Sequence, residues 1–104
     1  MQKKNIFHET SQFSRWLEKL RDTRGKARIA ARIDSAKAGN FGDCKALDDG
    51  ICEMRIDFGP GYRLYYAQEG LYVYLLVVGG DKSSQKKDIS KAKELWRTIM
   101  EERQ

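Results

Sequence analysis

The chain has 104 residues, which suits a single domain with one modest hydrophobic core. Its 20 lysines and arginines outnumber its 15 acidic residues, which gives a formal charge of +5. This charge favours an anionic partner such as nucleic acid. From charge alone, a basic protein without such a partner is an equally good interpretation. Two cysteines and one histidine are too few for a structural zinc site or a disulfide framework, and no apolar run is long enough for a signal peptide or a membrane span, so we expect a protein of the reducing cytoplasm.

The first half of the chain predicts one short strand followed by two helices. Residues from Lys4 to His8 fit the strand. Apolar residues at helical spacing then form one stripe over Phe13–Leu20 and predict the first helix. A second helix is expected from about Lys26 to Ala38, because the Gly39-Asn40 pair is a typical C-terminal stop.

The second half predicts three strands and a final helix. Period-two alternation over Cys52–Phe58 indicates a half-buried strand, and Gly59-Pro60-Gly61 is typical of a type II turn. Tyr62–Gln68 forms the next strand. The nearly continuous apolar run Leu71–Val78 should be the most buried strand, and the last helix begins near Ser84.

This order of elements predicts a single α+β domain over residues 1–104. It consists of a strand, two helices, three antiparallel strands and a helix. We expect the helices to pack on one face of the small sheet, because strands joined by short turns are antiparallel and need cover on one side. Side chains on the opposite face are then free to carry function.

The open face of the predicted sheet holds the most informative polar residues. By alternation, Arg55 and Arg63 lie on that face beside one tight turn, and Tyr65 shares it. Lys82 follows the neighbouring strand. Two arginines, a lysine and an aromatic ring on one surface would bind phosphate and stack a base. The alternative is that Arg55 only pairs with Glu53 or Asp57 and keeps the strand soluble.

Other kinds of catalytic site are disfavoured by the residues present. Cys44 and Cys52 have no neighbouring histidine base for a cysteine nucleophile. His8 is the one histidine and is more typical of a surface residue. The loop Gly39–Asp43 lacks the Gly-Lys-Ser/Thr ending of a phosphate-binding loop.

Several motifs are recognisable as a set. They are Arg28–Ile33 followed by Gly39–Asp43 and Lys45, then Glu53–Arg63, and finally Gly79–Gln85. Together they resemble the family of addiction-module killer proteins, which belongs to the RelE/ParE superfamily and is close to HigB-type toxins. The resemblance extends from about Phe13 to Trp96 and implies the RelE/ParE-like fold.

The resemblance implies the toxin of a type II toxin–antitoxin system, an mRNA interferase that inhibits translation. Such a toxin enters the ribosomal A site and cleaves the bound messenger RNA. The 2′-hydroxyl of the RNA attacks the adjacent phosphate, so the endoribonuclease needs no metal and no cofactor. The implied partners are the ribosome, messenger RNA and a helix-turn-helix antitoxin, through which alone operator DNA is contacted; a membrane is not expected.

The site residues follow from matching positions. The resemblance implies that Arg63, Arg55 and Lys82 carry catalysis. It also implies RNA contacts by Lys45, Tyr65, Lys86 and Lys87. Related toxins often have a catalytic tyrosine or histidine near Lys86, and this chain has neither, so Asp43 or Glu53 is the candidate general base.

Two other functions remain open at this point. One is inhibition of DNA gyrase, as in the ParE branch, which shares the fold without RNA chemistry. The other is a catalytically weak module that acts mainly through antitoxin binding and autoregulation. The basic residues favour the nuclease, and the missing histidine or tyrosine favours the weak module.

Overall fold

A computed structural model describes residues 4–104 and has an α+β architecture, which confirms the predicted fold class. The elements are β1 (Ile6–Glu9), α1 (Ser11–Lys19), α2 (Thr23–Lys37), β2 (Cys44–Ala46), β3 (Cys52–Ile56), β4 (Tyr62–Gly70), β5 (Val73–Asp81) and α3 (Gln85–Glu102). A 3₁₀ turn, Lys82–Ser84, connects β5 to α3. Within residues 4–104, no helix is both long and apolar enough to cross a bilayer.

The five strands form one mixed sheet in the order β1-β5-β4-β3-β2. β1 is parallel to β5, and the other neighbouring strands are antiparallel. The edge strand β2 was not among the predicted strands. It has only three residues, and all three are exposed, so the run is too short for its alternation to indicate a strand.

Both helices of the α1–α2 pair begin at a side-chain cap. The hydroxyl oxygen of Thr10 accepts a hydrogen bond of 3.0 Å from the amide of Phe13, and the carboxylate of Asp22 accepts one of 3.0 Å from the amide of Gly25. α2 therefore begins before the predicted Lys26. Gly25 is required inside its first turn, because a Cβ atom there would lie 2.7 Å from the ring of Tyr62.

The sheet is covered on both faces, not on one face as the sequence predicted. One face, called the hairpin face after the helical hairpin α1–α2, packs against these two helices. Its core includes Phe13, Ile29, Met54, Leu64 and Leu76. The α3 face packs against α3, and its core includes Ile51, Tyr65, Ala67, Val77, Ala92 and Trp96. The reason is the apolar run in β5, since Leu75–Val78 is buried at every position and a strand buried on both sides needs two layers.

Two adjacent glycines let these layers approach β5 closely. Gly79 faces the ring of Trp16 in α1, and Gly80 faces the carboxylate of Asp88 in α3. A Cβ atom on either glycine would overlap the atoms it faces. β5 therefore continues through both glycines to Asp81, beyond the predicted end at Val78.

Candidate functional site

Arg55 and Arg63 lie directly opposite each other on β3 and β4. Both are half-buried, and both belong to the α3 face, at the point where that helix has not yet begun. Like charges at directly opposed positions of an antiparallel pair destabilise a sheet. A nearby anion or carboxylate would offset that repulsion.

The two arginines line an open pocket of about 440 Å³. Its wall also contains Asp43, Asp57, Lys82 and the turn Gly59-Pro60-Gly61. Three cationic side chains thus meet two carboxylates, and the pocket has an excess of positive charge. A guanidinium presents planar N–H donors that match the oxygens of a phosphate group, so this arrangement can bind a phosphodiester.

Arg63 is oriented by the turn that precedes its own strand. Its Nη1 atom donates hydrogen bonds of 3.1 Å to the carbonyl oxygens of Gly61 and Tyr62. Within residues 4–104, the buried Nε atom of Arg63 has no acceptor. The amide of Gly61 donates a hydrogen bond of 3.0 Å to the carbonyl oxygen of Phe58, so the central residues of the turn are Gly59, with a φ of 57°, and Pro60. The predicted type II turn, with Pro60 and Gly61 at the centre, is therefore wrong. The guanidinium is therefore fixed at the pocket wall while part of its donor capacity stays free.

Arg55 forms an ion pair with Asp43, in which Nη2 lies 3.1 Å from Oδ1. The side chains are 40% and 59% exposed, respectively, so this is a surface pair. Such pairs contribute only about 0–1 kcal/mol to stability. An incoming phosphate can therefore displace the carboxylate from Arg55 at small cost.

The loop that carries Asp43 is held by Arg32 of α2, which the sequence analysis did not identify. Its guanidinium donates to the carbonyl oxygens of Phe41 at 2.8 Å, of Asp43 at 3.1 Å, and of Arg55. Gly42 passes so close that a Cβ atom would lie 2.9 Å from Nη2 of Arg32. The sequence offers no signal for this role, because Arg32 looks like any other basic residue on a helix.

Lys82 reaches the pocket from the 3₁₀ turn after β5 and is exposed. Asp81 caps that turn, since its carboxylate accepts a hydrogen bond of 2.9 Å from the amide of Ser83. The hydroxyl of Ser84 donates to the carboxylate of Asp88 in the first turn of α3. These contacts fix the backbone from which Lys82 extends.

The turn Gly59-Pro60-Gly61 is supported from the hairpin face. The hydroxyl of Tyr62 donates a hydrogen bond of 2.6 Å to the carboxylate of Asp22, at the start of α2. That bond, followed by burial, raises the pKa of Tyr62 to about 12. The same bond is the main cause of the lowered pKa of Asp22, and the amide of Gly25 adds to it. One wall of the pocket is thereby attached to α2.

Glu53 and Tyr65 are not part of the open surface, which corrects their predicted roles. Tyr65 is fully buried under α3, and its hydroxyl donates a hydrogen bond of 3.0 Å to Glu53. Glu53 is 2% exposed and also accepts a bond of 2.8 Å from Nε2 of Gln85. Burial, and then the bond to Glu53, raise the pKa of Tyr65. Tyr65 therefore cannot stack on a base here, and Glu53 is closed to a substrate.

The structure brings together only part of the predicted site. Arg55, Arg63, Lys82 and Asp43 share one pocket. Lys45, Lys86 and Lys87 are exposed but do not line it. Within residues 4–104, no group of three or more histidine, cysteine, aspartate or glutamate side chains is placed to hold a metal ion.

Sequence comparison identifies one similar protein. It is from Haemophilus influenzae, is described as an uncharacterized protein, and is 51% identical over 84 residues. The matched region spans 81% of this chain and 85% of the relative. No protein-family model matches the chain.

Proposed function

We propose that this chain, which belongs to the same family as the uncharacterized Haemophilus influenzae protein, is the toxin of a type II toxin–antitoxin system. Its activity is cleavage of messenger RNA on the ribosome, which inhibits translation in the cytoplasm. The proposal rests on the resemblance of its motifs to RelE/ParE-superfamily toxins and on the chemistry of the basic pocket.

One observation carries the proposal more than any other. Arg55 and Arg63 face each other across two strands and share a pocket with Lys82, although like charges in such positions weaken a sheet. The exposed ion pair between Arg55 and Asp43 offsets this cost only in part, because surface pairs contribute only about 0–1 kcal/mol. A polyanionic substrate explains it, because a phosphodiester would bridge the cations and remove their repulsion.

The pocket suits cleavage by the RNA itself. The 2′-hydroxyl attacks the adjacent phosphorus, the bond from phosphorus to the 5′-oxygen breaks, and the products are a 2′,3′-cyclic phosphate and a 5′-hydroxyl. The phosphorane-like transition state carries more negative charge on its oxygens than the substrate. Arg63 and Arg55 would stabilise that charge, and a preorganised donor at such a position is worth about 10²–10³ in rate.

Proton transfer falls to the exposed groups of the pocket. Asp43 is the accessible carboxylate beside Arg55 and would accept the proton of the 2′-hydroxyl. Lys82 would donate a proton to the leaving 5′-oxygen. Glu53 is excluded from the first role, because it is buried and already accepts two hydrogen bonds.

The proposed partners are those that the toxin class requires. A helix-turn-helix antitoxin would bind the chain tightly and contact operator DNA, and the ribosome would present the messenger RNA. The excess of positive charge on the chain supports binding to ribosomal RNA and messenger RNA.

The test is expression without antitoxin, followed by a cleavage assay with purified translating ribosomes. We expect the parent chain to arrest growth and to cut messenger RNA. Arg63→Ala should relieve the arrest and reduce cleavage by about 10²-fold or more. Arg63→Lys keeps the charge but loses the planar donors, so it should also be impaired.

Arg97→Ala is the matched control, because Arg97 is exposed on α3 and does not line the basic pocket. It should remain as active as the parent. If Arg63→Ala is as toxic as the parent, the assignment of the site is wrong. Inhibition of gyrase supercoiling without RNA cleavage would replace the nuclease proposal with the gyrase alternative. Absence of both activities, with tight antitoxin binding, would favour the catalytically weak module.

A further inference from the structure

The two cysteines lie on the same face of adjacent strands at the edge of the sheet. Cys44 of β2 is directly opposite Met54 of β3, and Ala46 is directly opposite Cys52. Cys44 and Cys52 are therefore diagonal neighbours, two residues out of register. Both are free thiols.

The hydrogen bonds around these pairs show which kind of position each cysteine occupies in the ladder. The amide of Arg55 donates to the carbonyl of Asp43, and the amide of Leu47 donates to the carbonyl of Ile51. In an antiparallel ladder, hydrogen-bonded and non-hydrogen-bonded pairs alternate. The pairs formed by residues 44/54 and 46/52 are thus non-hydrogen-bonded, and side chains at such pairs lie closer than at hydrogen-bonded ones.

Both thiols also share one neighbour and one pocket. Tyr66 is directly opposite Cys52 on β4. Burial, and then the nearby thiols of Cys44 and Cys52, raise the pKa of Tyr66. Cys44, Cys52 and Tyr66 line a second pocket, of about 650 Å³, together with Phe41 and Trp96. Cys44 is exposed and Cys52 is half-buried, so a small reagent can reach both sulfur atoms.

We propose that Cys44 and Cys52 are a site of reversible oxidation, at which a low-molecular-weight disulfide such as oxidised glutathione converts the two thiols into an intramolecular disulfide. The thiolate of Cys44 attacks one glutathione sulfur, and one glutathione thiolate leaves. The thiolate of Cys52 then attacks the sulfur of Cys44 and releases the second glutathione. The protein loses two electrons and two protons, and oxidised glutathione becomes two reduced molecules.

The order of the two attacks follows from exposure. Burial raises the pKa of the Cys52 thiol, and the nearby Cys44 adds to that effect, so Cys52 is the poorer first nucleophile. Exposed Cys44 reacts first with the external disulfide. Cys52 then resolves the mixed disulfide, which is already held beside it.

Closing the disulfide must move β2. Diagonal neighbours have Cα atoms about 7–8 Å apart, whereas a disulfide requires about 4.4–6.8 Å. A three-residue edge strand that is exposed at every position can move by such a distance. Asp43 directly precedes Cys44 and pairs with Arg55. Oxidation therefore changes the position of the Asp43 carboxylate at the basic pocket. The effect on RNA cleavage, but not the oxidation itself, rests on the proposed function.

The experiment treats the reduced full-length chain with oxidised glutathione, blocks remaining thiols by alkylation and measures the intact mass. We expect the parent to lose two hydrogen atoms and to take up no alkyl group. Trypsin cuts after Lys45, so the disulfide should join peptides 38–45 and 46–55. Cys52→Ser should instead stop at the mixed disulfide and gain one glutathione on Cys44.

Two controls keep the outcome decisive. Cys44→Ser should react much more slowly than Cys52→Ser, and circular dichroism should show that both variants are folded. A parent chain that stops at the mixed disulfide, or that forms only covalent dimers, would overturn the proposal.

Reduced and oxidised chains are then compared in the ribosome assay, where we expect oxidation to lower the cleavage rate. If neither form cleaves RNA while the disulfide forms, the nuclease proposal fails and the oxidation site stands; equal cleavage by both forms would refute the coupling.

Discussion

The hydroxyl of Tyr65 donates a hydrogen bond of 3.0 Å to the carboxylate of Glu53, and both side chains are closed off from solvent by α3. Gln85, the first residue of α3, donates the second hydrogen bond. A buried carboxylate is costly unless donors surround it, so this group fixes the start of α3 on the sheet. Arg55 and Arg63 form the next pair on the same face, two residues further along the same strands, so Glu53 lies beside the pair that lines the basic pocket.

We predict that Tyr65→Phe destabilises the fold by about 1–3 kcal/mol, because it leaves the buried carboxylate of Glu53 with one donor fewer. Urea unfolding at neutral pH measures this change. The control is Tyr74→Phe, whose hydroxyl makes no hydrogen bond within residues 4–104 and whose ring stacks on Phe7. That variant should change stability by less than about 0.5 kcal/mol. Equal stability of both variants would contradict the role given to the Tyr65–Glu53 bond.

We predict a pH-dependent loss of stability for Asp22→Asn. Hydrogen bonds from Tyr62 and Gly25 lower the pKa of Asp22 below its usual value of 3.8, so the ionised carboxylate stabilises the fold above that pH. This contribution is lost as the pH falls through the lowered pKa. Asparagine remains a good helix cap, so the variant tests the charge.

The measurement is the urea midpoint of parent and variant at neutral pH and at a pH well below 3.8. The difference in urea midpoint between parent and variant should be smaller at the acidic pH than at neutral pH. Asp34→Asn, at an exposed position of the same helix, should show no such narrowing. A constant difference at both pH values would contradict the assignment.

The sequence predicted the elements better than their arrangement. Apolar periodicity identified α1, α2 and α3 and the strands β3, β4 and β5, because each buries a continuous stripe or run. The prediction that all three helices pack on one face of the sheet was wrong. The apolar run Leu75–Val78 already indicated cover on both faces. Four consecutive buried apolar residues need cover on both faces of the sheet.

The candidate site was predictable where it depends on strand register and not where it depends on tertiary contacts. Arg55 and Arg63 flank one tight turn, so pairing of β3 with β4 across that turn places them directly opposite each other. Tyr65 shares their face by alternation, but its burial depends on the path of α3. The roles of Arg32 and Asp22 come from contacts across 9 to 40 residues, which no local pattern encodes.

We predict that Arg32→Lys loosens the loop that carries Asp43. Arginine reaches the three carbonyl acceptors from two separate nitrogen atoms, whereas lysine has a single nitrogen, so we expect a loss of about 1–3 kcal/mol in unfolding free energy and reduced RNA cleavage. Arg28→Lys is the matched control on the same helix. The guanidinium carbon of Arg28 lies 4.8 Å from the centre of the Phe58 ring, and a lysine can keep such a cation–π contact, so its replacement should cost less than about 1 kcal/mol. Parent-like cleavage by Arg32→Lys would show that the loop needs no such anchor.

We predict that Asp43→Asn separates RNA binding from cleavage. Loss of the carboxylate frees Arg55 for phosphate, so binding of an RNA with a 2′-deoxy group at the scissile position should be unchanged or tighter. Loss of the proton acceptor should lower the single-turnover cleavage rate by about 10²-fold or more. Asp57→Asn is the matched control, since Asp57 lines the same pocket but makes no ion pair within residues 4–104. If both variants lose activity equally, or if Asp43→Asn cleaves as fast as the parent, Asp43 is not the general base and the proton must leave through another group.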